Sequence, residues 1–240
     1  MRSTSNRDDV AWDIETTGFT HSDKITVTGL WYPDGWAKLI LNTQDRTVDR
    51  TGLESNLANV SGGISVEVIA VDSEEKLVDR LGQVVFETFD RDYNRLVAFN
   101  ADSWQGGFDL PFLRTRCIKH GVDWVFDGLM MTDLWEPVSK RLNTTYSRYG
   151  KSDDTNSLSG AHRVLCGAGI REEAGPADYT PYGDEGYDPF DSSGSAVSSY
   201  RDGDFLQVCK HNLADIHRTW ELSQLVRSYV SGKDTTTKKL

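Results

Sequence analysis

Two carboxylates separated by one residue end the first apolar run of the chain, in Asp13-Ile14-Glu15. Val10, Trp12 and Ile14 recur with a period of two, which is typical of a β-strand. Asp13 and Glu15 therefore point to one face of this strand, and Ile14 points to the other. Neighbouring acids on a buried face repel each other and lose solvation, which raises the pKa of at least one of them. A hard divalent cation such as Mg²⁺ or Mn²⁺ would neutralise both, although a solvated pair at a strand end explains the same tripeptide.

Two further acids lie in comparable settings. The segment 95–100 reads as an apolar strand, and a helix is predicted to begin at Phe108, which directly precedes Asp109. Near the C-terminus, His211 opens another predicted helix with apolar residues at intervals of three and four. Asp215 lies one helical turn after His211, so both side chains share one face of that helix.

These segments resemble the three exonuclease motifs of the DEDD superfamily of 3′→5′ exonucleases, over about residues 8–228. Asp13 and Glu15 match the first motif, Asp109 matches the second and Asp215 matches the third. The likeness is to stand-alone ribonuclease-H-like exonucleases and to the proofreading domains of family B polymerases. It implies an α/β, ribonuclease-H-like fold in which a central mixed β-sheet is flanked by α-helices.

The resemblance also implies a chemistry. Phosphodiester hydrolysis with two Mg²⁺ or Mn²⁺ ions requires carboxylates that hold both ions beside the scissile phosphate. By this resemblance Asp13 bridges both ions, Glu15 and Asp215 hold the ion that activates water, and Asp109 completes the shell. The substrate implied is the 3′ end of single-stranded DNA or RNA, with a polymerase or helicase as a possible partner acting in trans.

His211 departs from the pattern, because it stands four residues before Asp215 where the related enzymes usually carry Tyr. An imidazole has an unperturbed pKa of about 6.5 and is suited to accept a proton from a metal-bound water. The alternative is that His211 only packs or caps at the start of the helix. We therefore include His211 among the candidate catalytic residues as a general base.

Four residues near the motifs are candidates for substrate contact. Thr16 and Thr17 directly follow the first motif, and Asn100 ends the predicted strand before the second. Asn100 is equally suited to cap local backbone. Trp104 lies in the stretch between Asn100 and Phe108, which is several residues longer than the spacing usual in the family.

Composition limits the class of protein. The chain has 240 residues, the size of one medium α/β domain, and its three cysteines are too few and too scattered for a disulfide framework. Neither a signal peptide nor a membrane span is evident, so we expect a cytoplasmic protein that does not bind a membrane. The net charge of −11 opposes an extended grip on a polyanion, but a local site with bound metals needs little basic surface.

The acidity has a specific character, with 26 Asp against 11 Glu and 10 Lys against 16 Arg. Aspartate-rich, lysine-poor surfaces resemble those of proteins from halophilic archaea and their viruses, in which excess acid maintains solubility in concentrated salt. A moderately acidic protein from an ordinary environment is the alternative.

The remaining elements are predicted coarsely. Periodicity indicates strands at 24–32, 36–41, 66–71 and 124–131, and helices at 73–89, 134–146 and 158–165. Residues 171–195 are expected to be irregular, because Gly, Pro, Asp and Ser crowd them. We expect a single domain over 8–230, with flexible tails at 1–7 and 231–240.

Two functions of different class follow. The first is a metal-dependent 3′→5′ exonuclease, which is favoured because all four acids are present. The second is a non-catalytic module of the same fold that binds nucleic acid or a protein partner.

Overall fold

The computed structural model describes residues 7–102, 107–148, 151–154, 156–166, 188–190 and 193–240. The strands in these residues are β1 (Asp8–Thr16), β2 (Ile25–Tyr32), β3 (Trp36–Asn42), β4 (Ser65–Val71), β5 (Asn94–Ala98), β6 (Met130–Asp133), β7 (Thr145–Arg148), β8 (Lys151–Asp154) and β9 (Thr237–Lys239). The helices are α1 (Arg50–Val60), α2 (Glu74–Thr88), α3 (Asp109–His120), α4 (Trp135–Arg141), α5 (Leu158–Leu165), α6 (Ser193–Asp202) and α7 (Phe205–Tyr229).

Seven of the strands form one mixed sheet in the order β4-β3-β2-β1-β5-β6-β9, and β7 pairs with β8 in a separate hairpin. β1, β2 and β3 are antiparallel neighbours, whereas β5 and β6 run parallel to β1. The predicted α/β class with a central mixed sheet is confirmed. The strand order β3-β2-β1-β5-β6 within this sheet is consistent with the ribonuclease-H-like arrangement that the resemblance implies.

The sheet is buried on both faces. Trp12 and Ile14 pack with Leu77 of α2 and Leu113 of α3 in one cluster on the first face. On the second face, Ala11 and its neighbours pack with α7 and α1 in another cluster. β1 therefore carries apolar side chains toward α2 and α3, and its alternate positions point toward α7. No helix within the described parts of the chain combines the length and the apolar character needed to cross a membrane.

Several elements occur where the sequence predicts them. β2, β3, β4 and α2 match their predicted ranges within a few residues. Ser73 is the N-cap of α2 as expected, and its hydroxyl accepts a hydrogen bond from the amide of Lys76 at 3.4 Å. The helix predicted at 158–165 is α5.

Three helix and strand boundaries differ from the predictions for local reasons. The helix predicted at 134–146 ends at Arg141, because the Asn143 side chain accepts a hydrogen bond from the amide of Thr145 and turns the chain into β7. The strand predicted at 124–131 is confined to Met130–Asp133, since 124–129 form turns that carry aromatic rings into the core. α7 begins at Phe205 rather than at His211, with Asp204 as its N-cap.

Two further differences are a helix that the sequence does not predict and a strand in the expected C-terminal tail. α1 was not predicted, and it supplies the connection between the parallel strands β3 and β4. The expected tail at 231–240 contains β9, which pairs with β6 because its backbone completes the sheet edge and Thr237 meets Thr132 at 2.8 Å. The ordered fold thus extends beyond residue 230. At the other end Arg7 donates to the backbone carbonyl of Asn94 at 3.2 Å, whereas residues 1–6 lie outside the described residues.

Candidate metal centre

β1 places Asp13 and Glu15 on the face that is covered by α7, as the alternation predicts. The amide of Asn212 in α7 donates a hydrogen bond to Asp13 Oδ2 at 2.9 Å. Gly29, the partner of Asp13 on β2, makes this approach possible, because a Cβ at that position would lie 2.3 Å from Asn212 Oδ1. Helix and strand are therefore in close contact at the first carboxylate.

The other two predicted acids converge on the same place. Asp109 is the first residue of α3, and Asp215 lies in the middle of α7. Together with Asp13, Glu15 and His211 they line a cavity of about 220 Å³. The structure thus brings together all five residues that the sequence predicts to be catalytic. The cavity is completed by Ile14, Thr16, Gly18, Phe19, Phe108, Gly194 and Val197.

The acids perturb one another strongly. Burial, followed by the charges of Glu15, Asp109 and Asp215, raises the pKa of Asp13 well above its ordinary value. Burial and the charge of Glu15 likewise raise the pKa of Asp109 well above its ordinary value. For Glu15, burial raises the pKa to about 7 even though His211 opposes the shift. A bound cation would relieve this repulsion, so the donor set fits a hard divalent metal.

His211 is held by a network that the sequence analysis did not predict. Its Nδ1 lies 2.8 Å from Asp188 Oδ1, and its Nε2 lies 3.6 Å from Glu15 Oε1. Arg218, one turn after Asp215 on α7, donates to Asp215 Oδ1 at 2.8 Å and also contacts Asp188 Oδ2. Arg218 therefore links Asp188 to Asp215, and His211 lies between Asp188 and Glu15.

The charges of this network set the protonation of His211. Burial alone would lower the pKa of His211, but the carboxylates of Glu15, Asp215 and Asp188 outweigh it and raise the pKa to about 10. The pKa of Asp188 is lowered, because His211 and Arg218 outweigh the opposing effect of burial. A protonated ring cannot accept a proton, and the general-base role of His211 stays a prediction.

The predicted substrate residues have different surroundings. Thr16 lines the cavity, and its hydroxyl donates to the carbonyl of Gly18 at 2.7 Å. Thr17 is bound to Asp23 at 3.0 Å and is not part of the lining. Asn100 adopts a φ of 58° and does not line the cavity. Its backbone amide donates a hydrogen bond to Asp133 Oδ1 at 2.9 Å. Its side-chain oxygen is buried without a hydrogen bond to any described residue. Trp104 lies outside the described residues.

Sequence reasoning missed three residues of this site. Asn212 and Arg218 are on α7, and the spacing of three residues between Asp215 and Arg218 is a signal for an ion pair on a helix. Asp188 carries no such signal, because it lies in the segment 171–195 that the sequence predicts to be irregular and reaches His211 only through the tertiary fold. Most of the segment 171–195, expected to be irregular, lies outside the described residues, and α6 begins within it at Ser193.

An aromatic pair stands at the rim of the cavity. Phe19 is 77% exposed, and its ring meets the edge of the Phe108 ring at a centroid distance of 5.2 Å. Both side chains line the cavity beside Asp109. Exposed aromatic faces of this kind stack on unpaired bases.

Comparison with known proteins gives similarity in structure but no match in sequence. No family model and no curated protein matches the sequence. Among solved structures, the chain is similar to the family B DNA polymerase from the hyperthermophilic archaeon Pyrobaculum calidifontis, with 13% sequence identity and a TM-score of 0.48. The match covers 92% of this chain and 24% of that polymerase, so the chain spans about a quarter of the length of that protein. A similarity at this level does not assign a function.

Proposed function

We propose that this protein is a metal-dependent 3′→5′ exonuclease that hydrolyses the terminal phosphodiester bond of single-stranded DNA or RNA. The observation that carries the proposal is the convergence of Asp13, Glu15, Asp109 and Asp215 on one cavity. These acids come from β1, α3 and α7, so nothing in the local sequence requires them to meet. Acids that repel one another are rarely gathered in this way unless the site binds cations.

The four carboxylates would hold two Mg²⁺ or Mn²⁺ ions. Such ions neutralise the charge of a scissile phosphate and lower the pKa of a bound water so that it attacks near neutral pH. Carboxylate oxygens are the ligands that both ions take. The excess of acid over base at the cavity supports a cationic cofactor, because without one the site would repel a phosphate.

The chain itself supplies alignment at this site. The hydrogen bond from Asn212 fixes the carboxylate of Asp13, and the ion pair with Arg218 fixes that of Asp215. Phe19 offers an apolar face at the cavity rim, where the base next to the scissile phosphate would stack.

End-labelled oligonucleotides test the proposal. Single-stranded DNA and RNA labelled at the 5′ end are incubated with the protein and Mg²⁺, and matched substrates carry a blocked 3′ end. We expect a ladder of products shortened from the 3′ end, with no cleavage of the blocked substrates or in EDTA. Stable binding of the strand without cleavage under any divalent cation would instead support the non-catalytic module.

A further inference from the structure

Three donor atoms at one end of the cavity have the separation of a metal-binding set. Glu15, His211 and Asp215 each offer one atom, and these atoms all lie within 4.8 Å of one another. His211 Nε2 is 3.6 Å from Glu15 Oε1 and 3.8 Å from Asp215 Oδ2. Among the described residues, this set is the one that combines carboxylates with an imidazole in this way.

The imidazole of His211 is oriented for ligation. The residue is only 8% exposed, it lines the cavity, and its Nε2 makes no hydrogen bond to a described residue. Its Nδ1 is bound by the carboxylate of Asp188 at 2.8 Å. The carboxylate on Nδ1 holds the proton of that nitrogen and fixes the ring, so a metal that displaces the proton on Nε2 would find the arrangement that surrounds most metal-bound histidines.

The carboxylate of Asp215 is oriented by a similar device. Arg218 binds Asp215 Oδ1 and also contacts Asp188, so the oxygen left toward His211 is Oδ2. The guanidinium of Arg218 thus restrains Asp215, and it also restrains Asp188, which holds the imidazole. These two contacts of Arg218 are an observation separate from the repulsion among the acids. They hold a metal-binding carboxylate in one orientation, as the outer shell of a metal site does.

We infer that Glu15, His211 and Asp215 form a mixed nitrogen and oxygen site for a divalent transition metal, with His211 Nε2 as a ligand and Asp188 as its positioning residue. An imidazole in the donor set favours Mn²⁺, Co²⁺ or Zn²⁺ over Mg²⁺, which takes oxygen ligands almost exclusively. A ring that binds a metal through Nε2 cannot also accept a proton there, so this assignment replaces the general-base role. The inference deepens the proposed function by naming the cation of one site, but it requires only that a cation binds there.

Pulsed electron paramagnetic resonance of Mn²⁺ bound to the full chain tests the inference. A directly bound imidazole nitrogen modulates the Mn²⁺ echo, so we expect nitrogen modulation in the parent protein and in the His21→Gln control, whose histidine is exposed. His211→Gln should remove the modulation and weaken Mn²⁺ binding, measured by calorimetry, while Mg²⁺ binding changes little. Asp188→Asn should retain the modulation and weaken Mn²⁺ binding by about 10- to 100-fold, as outer-shell changes do.

The outcomes separate this inference from the proposed function. Mn²⁺ that binds the parent protein without nitrogen modulation, or with modulation that persists in His211→Gln, overturns it even if the protein degrades nucleic acid. Nitrogen-bound Mn²⁺ in a protein that releases no nucleotides supports it and counts against the exonuclease alone. Because the parent protein is measured directly, the test stands even if His211→Gln fails to fold.

Discussion

The two faces of the central sheet carry two buried charge clusters that are built in opposite ways. On the α2–α3 face, Glu74 accepts hydrogen bonds from Arg116 Nε at 2.7 Å and from the amide of Ile25 at 2.8 Å, and it also contacts His120. Arg116 is fully buried and donates to the carbonyl of His21 at 2.9 Å. Every charge in this cluster has a partner supplied by the chain.

On the α7 face the balance is unequal. Among the described residues, five carboxylates meet two cationic side chains, His211 and Arg218; the carboxylates are those of Asp13, Glu15, Asp109, Asp188 and Asp215. The compensated cluster joins α2, α3 and β2 and serves the fold, whereas the uncompensated one holds more carboxylates than cationic side chains within the described residues. The difference indicates that surplus charge of one sign, more than burial of charge as such, marks the functional site.

The largest expected effect is the loss of turnover in Asp13→Asn. Removing one ligand should lower the rate of nucleotide release by more than the roughly 10- to 100-fold that is typical of outer-shell partners. In EDTA the variant should melt no lower than the parent, because one repelling charge is gone. Asp34→Asn makes the same chemical change in the exposed turn after β2 and should keep full activity. Parental turnover in Asp13→Asn would contradict the assignment of the site.

Glu74→Gln should have the complementary effect. The change leaves Arg116 buried without its counter-charge, so the free energy of unfolding should fall by about 3–5 kcal/mol. Urea denaturation measures this loss, and turnover per folded molecule should stay unchanged. The neighbouring Glu75→Gln, at an exposed position of the same helix, is the matched control and should leave the denaturation midpoint unchanged. A normal midpoint in Glu74→Gln would show that the compensated cluster does not stabilise the fold.

Divalent cations should stabilise the parent protein. A cation that binds only the folded state adds about 2.7 kcal/mol to the free energy of unfolding at one hundred times its dissociation constant. Thermal melts with Mg²⁺ or Mn²⁺ should therefore have a raised midpoint relative to Na⁺ at matched ionic strength. The increase should shrink in Asp13→Asn and persist in Glu75→Gln. An equal increase in both variants would place the cation elsewhere.

The compensated cluster also predicts a dependence of stability on pH. Burial alone would raise the pKa of Glu74, but the hydrogen bonds of Arg116 and His120 outweigh it and hold the pKa below its ordinary value. The stabilisation is therefore fully present above the pKa of the unfolded chain and is lost as the pH falls through the lower pKa of the folded chain. Urea denaturation of the parent and of Glu74→Gln should converge in acid. A difference that stays constant to low pH would refute this account.

The smallest expected effect concerns the surface charge outside both clusters. If the aspartate excess is an adaptation to salt, molar KCl should screen the self-repulsion and raise the thermal midpoint. The comparison is made in EDTA so that bound cations do not contribute. A midpoint that is unchanged or lower in molar KCl would favour an ordinary, moderately acidic protein.

Most helices and strands of the fold are predictable from local sequence patterns, and the exceptions have physical causes. Strands β2 and β3 and helix α2 have clear periodicity and turn or cap signals, so they were predicted within a few residues. β9 was missed because three residues of strand have no pattern of their own and depend on the edge of β6. Residues 124–126 are apolar like the start of a strand, but the backbone turns at 125–128 and the rings of Trp124 and Phe126 pack into the core.

The sequence by itself determined the faces on which three of the acids lie, because the alternation in β1 places Asp13 and Glu15 on one face and the helical spacing in α7 places Asp215 beside His211. Their convergence on one cavity is implied by the resemblance, and the distances between them are given only by the folded chain. Only the tertiary structure decided the partners of His211, since Asp188 is 23 residues away in the chain. It also decided that Glu74 and Arg116 are matched while the acids of the site are not. Electrostatic balance depends on distances between elements, and these distances are set by how the helices pack on the sheet.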